Sequence, residues 1–331
     1  MAESTEQSLG GGPTITRQLS FHGQGGSLFG IHIVNILLAI ITLGIYYFWG
    51  KVRVRNYMHS QTEFEGDRFA YHGIGKELFI GWLKAMGFMI VIGGISFGIQ
   101  LFGKSITSQI IGTIILYFGI FFLLFPVAIV GAWRYKLSRT SWRGIRFSFR
   151  GHTREFFRIY FPGMFLTLIT LGFYSPYFEV RLRKFLVNQS YFGNAQFHFD
   201  GNGRDLFWGN FWAIVLAIPT LGIYPFWYAA TRHRYFWSRT TFSTAQFRST
   251  MLGGDLFVFH LVNGLLLIFT LGLAQPWVLV RSARFTFERI LLEGDLDLDA
   301  IEQDARDASA TGEGMTDFLD TEFLDIDLGL L

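Results

Sequence analysis

The sequence predicts a predominantly α-helical, multi-pass membrane protein of five tandem modules, each about 50 residues, with short interfacial β segments. Three observations carry that expectation. Thr-Leu-Gly occurs four times, at Thr42–Gly44, Thr170–Gly172, Thr220–Gly222 and Thr270–Gly272, the last three copies fifty residues apart. A glycine-rich opening recurs in the same register, starting at Gly23, Gly73, Gly151, Gly201 and Met251. Apolar blocks at 36–49, 88–102, 110–133, 159–178, 211–230 and 256–280 approach the ~20 residues that cross a ~30 Å hydrocarbon layer.

Composition agrees. Half of the 331 residues are apolar and only 16% are charged, against about a quarter in soluble domains. With no cysteine, a disulfide framework, a thiol nucleophile and a cysteine zinc site are excluded. Residues 1–18 are mostly polar and carry Gly10-Gly-Gly-Pro13, so they read as a disordered lead without a cleavable signal peptide. The net charge of +3 divides unevenly: residues 293–331 hold thirteen acids and one arginine, the rest 27 bases and 12 acids. The tail, 296–331, reads as disordered. The alternative is a short amphipathic helix through Phe318, Phe323 and Leu328 that folds on a soluble partner.

The membrane part, 19–295, divides into units 23–72, 73–150, 151–200, 201–250 and 251–295. Before each opening glycine, alternating runs such as Arg146-Phe-Ser-Phe-Arg150 predict a half-buried strand. An acid follows at the fifth position (Glu77, Glu155, Asp205, Asp255), suited to a helix start. After the apolar helix and Thr-Leu-Gly come aromatic residues and then arginines: Arg53 and Arg55, Arg181 and Arg183, Arg232 and Arg234, Arg281 and Arg284. Aromatic residues and arginines there predict interfacial anchoring or contact with lipid headgroups.

One crossing per module would put successive arginine clusters on opposite sides, against their cytoplasmic preference. A helical hairpin in each module resolves this. Unit two carries 28 extra residues, and its stretches Glu77–Phe102 and Thr107–Trp133 read as two full crossings.

The stretch Gly25-Gly-Ser-Leu-Phe29, Thr42-Leu-Gly-Ile-Tyr-Tyr-Phe-Trp-Gly-Lys-Val-Arg-Val-Arg55 and Ser60 to Phe79 resembles the YjgN family of bacterial inner-membrane proteins. The likeness covers about residues 20–295 and leaves out the acidic tail. It implies a multi-pass protein of the bacterial inner membrane and no particular activity.

Intramembrane polar residues are the best candidates for chemistry, because they are expensive in hydrocarbon. His32 with Asn35, and His260 with Asn263, stand at identical module positions and share one helix face. If the end units meet, these four converge as a proton or ligand site; the blander reading is interhelical hydrogen bonding. Glu179 is a further candidate, with Arg181 and Arg183 as partners. The spacing of Gly98 to Ser105 fits a P-loop, and Gly94-Ile-Ser-Phe-Gly98 a serine elbow. Both lack the strand-to-helix context those motifs need, so chance is the better reading. No enzyme activity, metal site, cofactor or nucleic-acid partner is expected.

Two functions fit these features. One is a transporter or channel for a small solute, since repeats and broken helices recur in transporters. The alternative is a non-transporting scaffold that contacts membrane lipids and recruits a partner through its tail. A continuous polar path would separate them.

Overall fold

The computed structural model describes residues 15–103, 105–298 and 300–303. The readings for residues 1–14 and for the tail past 303, including the helix through Phe318, lie outside them. The helices are α1 (Gly25–Ile41), α2 (Tyr47–Ser60), α3 (Gly75–Gly103) and α4 (Ile106–Phe118). A π-helical turn, Gly119–Leu124, joins α4 to α5 (Phe125–Ser138) in one rod. There follow α6 (Thr153–Ile169), α7 (Ser175–Asn188), α8 (Gly203–Ala217), α9 (Tyr224–Ser238), α10 (Gly253–Phe269) and α11 (Gln275–Phe287).

Thr-Leu-Gly joins α1 to α2, α6 to α7, α8 to α9 and α10 to α11 in one recurring conformation. The leucines are left-handed, with φ of 50, 51, 51 and 49° (Leu43, Leu171, Leu221, Leu271), and the glycines follow at 79 to 90°. A leucine there costs roughly 1 kcal/mol or more. Hydrogen bonds offset that cost. Each threonine hydroxyl donates to the carbonyl four residues back and accepts the amide four residues ahead, as Thr170 does with Leu166 O (2.7 Å) and Tyr174 N (3.0 Å). Each glycine amide bonds five residues back, Gly172 to Thr167 O at 2.8 Å, in a Schellman-type closure. Thr170→Val keeps the shape and removes both hydroxyl bonds, so we expect a loss of about 1–2 kcal/mol. Thermal melts in detergent check this, with Thr170→Ser expected to recover most of the loss.

The strands are β1 (Thr16–Gln18), β2 (Ser20–Phe21), β3 (Thr62–Phe64), β4 (Asp67–Tyr71), β5 (Thr140–Trp142) and β6 (Ile145–Phe149). They continue as β7 (Ser190–Phe192), β8 (Ala195–Phe199), β9 (Thr240–Phe242), β10 (Ala245–Ser249) and β11 (Ile290–Glu293). All pair antiparallel, in the order β1-β11-β10-β9-β8-β7-β6-β5-β4-β3-β2. Only Leu19 separates β1 from β2, so the same stretch of chain forms both ends of the sheet. It pairs Thr16 with Glu293 on one side and Phe21 with Thr62 on the other, which closes the sheet into a ring. Closure removes the free edges through which sheets aggregate. Four hairpins are local, and the fifth is assembled from the two ends of the chain. The helices close likewise, α11 packing on α1.

These observations correct the expected fold. The protein is not a predominantly helical multi-pass bundle: an eleven-stranded antiparallel ring is its hub. Among the described residues only the rods Gly75–Gly103 and Ile106–Ser138 are long and apolar enough to cross a membrane. The physical reason is the turn. α1, α6, α8 and α10 stop after 15 to 17 residues because Thr-Leu-Gly reverses the chain there. Residues 16–18, read as part of a disordered lead, form β1 because Arg17 pairs with Leu292 and donates to Gly294 O at 2.9 Å.

The inside of the ring is aromatic. Trp142, Phe192, Phe242 and Leu292 occupy one layer. Phe69, Phe147, Phe197 and Phe247 form the next, successive ring centroids 6.4 Å apart. Past β11 the chain crosses the mouth of the ring, burying Leu296 and Ile301 on these aromatics. Asn194 N donates to Glu302 O (3.1 Å) and Arg146 N to Gln303 Oε1 (2.7 Å). Gly193 is required here, since its φ is +56° and a Cβ would collide with the Glu302 carbonyl oxygen.

Candidate functional site

The second helix of each module ends against the sheet, and in four of the five modules an arginine cluster stands near its middle. In four of the five modules one position faces the sheet base, as Arg55, Trp133, Arg183 and His233, while the fifth has Ala283 there. Arg55 donates to the Tyr71 hydroxyl (3.4 Å), Trp133 Nε1 to Ser190 Oγ (2.9 Å), and His233 Nδ1 meets Ser249 Oγ at 2.9 Å. Arg183 is buried, its guanidinium 4.7 Å from the Phe236 ring centroid, 5.5 Å from that of Trp237 and 5.7 Å from that of Phe199. Together these groups form a polar and aromatic collar between the helices and the ring.

The collar has its own electrostatics. Glu179 on α7 accepts from Arg232 on α9 at 3.1 and 3.2 Å. Burial, with repulsion from Arg232, lowers Arg183 to about 9. Burial also lowers His233 to about 4, helped by Arg183, Arg232 and Arg234. Its tautomer follows from its neighbours. Trp237 Nε1 can only donate, so His233 Nε2, 3.1 Å away, accepts, and Nδ1–H points at Ser249.

The predicted residues fall into three groups. Arg234 and Arg284 are clamps between modules: Arg234 donates to Met251 O (2.6 Å) and Arg284 to Gly23 O (3.2 Å), the second across the ring closure. Arg134, which sequence reasoning passed over, does the same to Gly151 O (2.9 Å). Arg55, Arg183 and Arg232 belong to the collar. Arg53, Arg181 and Arg281 stay exposed at one shared module position, beside the rings of Tyr46, Tyr174 and Phe259.

The two His–Asn pairs are not brought together. Asn35 Nδ2 donates to Gly50 O (3.1 Å) inside its own hairpin. His260 is exposed, meets Leu256 O at 2.8 Å and lies 5.5 Å from the Phe226 ring on α9. α11 packs on α1 and, through Phe285 against Phe259, on α10, so the two histidines stand on helices with a third between them. Asn263 is buried in α10. Glu179 takes Arg232 of the next module, a partner other than the Arg181 and Arg183 suggested by adjacency. The P-loop and elbow residues Gly94, Ser96 and Gly98 lie inside α3 with a helix on either side, and Ser96 Oγ donates to Gly112 O at 2.7 Å. Among the described residues no group of three His, Cys, Asp or Glu side chains is placed to hold a metal.

Sequence reasoning missed His233, Trp237 and Ser249, although the repeat register held a signal. His233 stands fifty residues after Arg183 and one hundred after Trp133, at the position that faces the sheet.

Comparison with known proteins places the chain. It is 32% identical over 152 residues to the inner membrane protein YjgN of Escherichia coli K12, covering 46% of this chain and 36% of that protein. It is 33% identical over 138 residues to the Salmonella typhimurium protein of that name, covering 41% and 32%. The chain thus matches about a third of the length of these curated relatives. No solved structure matches it. A family profile matches residues 16–219 and 240–318, most of the chain, and by that match the protein belongs to the family of bacterial proteins of unknown function designated DUF898.

Proposed function

We propose that this protein is a non-transporting scaffold of the bacterial inner membrane, a ring that holds lipid-contacting hairpins. The observation that carries the reading is the filled lumen of the sheet. Trp142, Phe192 and Phe242 occupy it, and Leu296 and Ile301 close its mouth. A conduction path needs polar lining or water along its length, whereas the side chains packed together here are aromatic and aliphatic. The collar beneath is taken up by contacts within the chain, Glu179 with Arg232 and His233 with Ser249 and Trp237. The inner-membrane location follows the names of the relatives and the two helical rods long enough to cross.

A flux assay tests this. Full-length protein reconstituted into vesicles is expected to leak potassium, or an entrapped small anionic dye, no faster than protein-free vesicles. Protein-dependent release of either would overturn the scaffold reading in favour of a channel.

A further inference from the structure

The four short hairpins share a surface that packing within the chain does not explain. Their turn leucines, Leu43, Leu171, Leu221 and Leu271, are 82 to 93% exposed. The residue one or two places before each Thr is also exposed and apolar: Ile41, Ile169, Ile218 and Phe269. In water such tips would be a liability, since contiguous exposed apolar surface marks an interaction site. Their backbone suits another solvent. In the Thr170 turn the amides of Thr170, Leu171, Gly172, Phe173, Tyr174 and Ser175 all find acceptors within the turn. The same pattern recurs in the other three turns. Hydrocarbon demands that backbone polar groups be paired within the chain, and in these turns the amides are.

Side chains along the second helix are ordered by depth. The leucine is at the tip. Six residues on, at one module position, stand Trp49, Trp227 and Trp277, 36 to 44% exposed. Four residues further come the exposed Arg53 and Arg281, and Arg181 in the hairpin that has Tyr177 in place of the tryptophan; the hairpin of Trp227 has Thr231 there. Apolar, then tryptophan, then arginine is the order met in passing from hydrocarbon to headgroups.

Length fixes how deep the hairpins go. From the start of α2 to Arg53 is six residues, about 9 Å, and the turn adds a few ångströms, so the tip lies roughly 12 Å below the guanidinium. Half of the hydrocarbon layer is ~15 Å. The long hairpin differs: α3 has 29 residues, ~44 Å of helix, enough for the whole layer.

Building on the scaffold reading, we infer that the four Thr-Leu-Gly hairpins enter only the cytoplasmic leaflet, and that Arg53, Arg181 and Arg281 bind the phosphates of anionic phospholipids there. Only the α3 and α4–α5 hairpin crosses to the other face. The sheet ring rests on the cytoplasmic surface, where the excess of Lys and Arg in the membrane part directs it. Charge complementarity selects the anionic lipid, because each exposed guanidinium lies at headgroup depth above an apolar tip.

The cysteine-free chain permits a direct test with single cysteines and a membrane-impermeant maleimide. In intact cells stripped of the outer membrane, Ile106→Cys, at the turn of the long hairpin, is expected to label. His198→Cys on the sheet is expected to label only after lysis, and Ile41→Cys and Ile218→Cys on neither occasion. Outside labelling of Ile41→Cys or Ile218→Cys would show full crossings and overturn the proposal. Their ready labelling after lysis would show tips in water and overturn it as well. For the lipid arm, phosphatidylglycerol added to purified protein in neutral detergent is expected to raise the melting temperature. The triple variant Arg53→Gln, Arg181→Gln and Arg281→Gln should lose most of that rise; an undiminished rise would overturn the headgroup assignment. Labelling and melting report on insertion whether or not vesicles leak, so failure here is distinct from failure of the scaffold reading.

Discussion

Lowering the pH from 6.5 towards 4 is expected to destabilise the ring through His233, and His233→Gln should largely flatten that dependence. Burial and three nearby arginines hold the folded histidine at about 4, while the unfolded chain titrates near the ordinary 6.5. The folded pKa is the lower one, so the folded state prefers the neutral ring. Above pH 6.5 neither state is protonated and the contribution is complete. As pH falls to about 4 the unfolded chain gains a proton that the folded chain refuses, and stability declines. Below that both are protonated and the decline stops. A shift of this size corresponds to about 3 kcal/mol. The local chemistry gives the same sign. A proton on Nε2 would oppose the Trp237 N–H that now donates to it, 3.1 Å away, and add a charge beside Arg183. Thermal or denaturant melts in detergent across this range check the effect. An unchanged slope in His233→Gln would assign the acid sensitivity elsewhere.

Deleting residues 15–21 is expected to cost more than the burial of one aromatic side chain, and to change the association state as well. The segment supplies both β1 and β2, so its loss bares the outer edges of β11 and β3 together. It also removes Phe21, buried with Leu28 and Val280, which by itself is worth about 3–5 kcal/mol. Free antiparallel edges recruit other chains, so oligomers are expected on size exclusion beside a large drop in melting temperature. Phe21→Ala separates the two causes. It lowers stability while keeping the strand pairing, and the protein should stay in its original association state. A deletion variant that melts and elutes like the full chain would mean that ring closure contributes little.

Much of this molecule could be read from the residues. The fifty-residue register of Thr-Leu-Gly located the reversals, because the turn is made by local chemistry. A threonine hydroxyl bonds the carbonyl four back and the amide four ahead, and a glycine accepts the left-handed backbone. Alternating runs such as Arg146 to Arg150 located the strands for the same reason, as period two is a local property. The long apolar stretches of unit two became the two helical rods that are long enough to cross.

The candidate site was less legible. The exposed arginines sit where the module pattern put them, whereas the collar did not declare itself. Arg183 next to His233 with its Trp237 and Ser249 requires α7 and α9, on successive modules, to lean together over the sheet base. No sequence period reports that approach. The expected meeting of His32 with His260 failed on the same ground: both positions recur correctly, yet α11 stands between their helices.

The sequence by itself determined the module: where it turns, which face is apolar, where its cations lie. Only the tertiary structure decided that five modules close. Closure joins Arg17 to Leu292 and Arg284 to Gly23, residues more than 250 positions apart. It depends on the rotation between neighbouring modules, an angle set by side-chain packing at each seam. Five such angles must sum to a full turn, and with the sheet closed its aromatic face points inward to form the core.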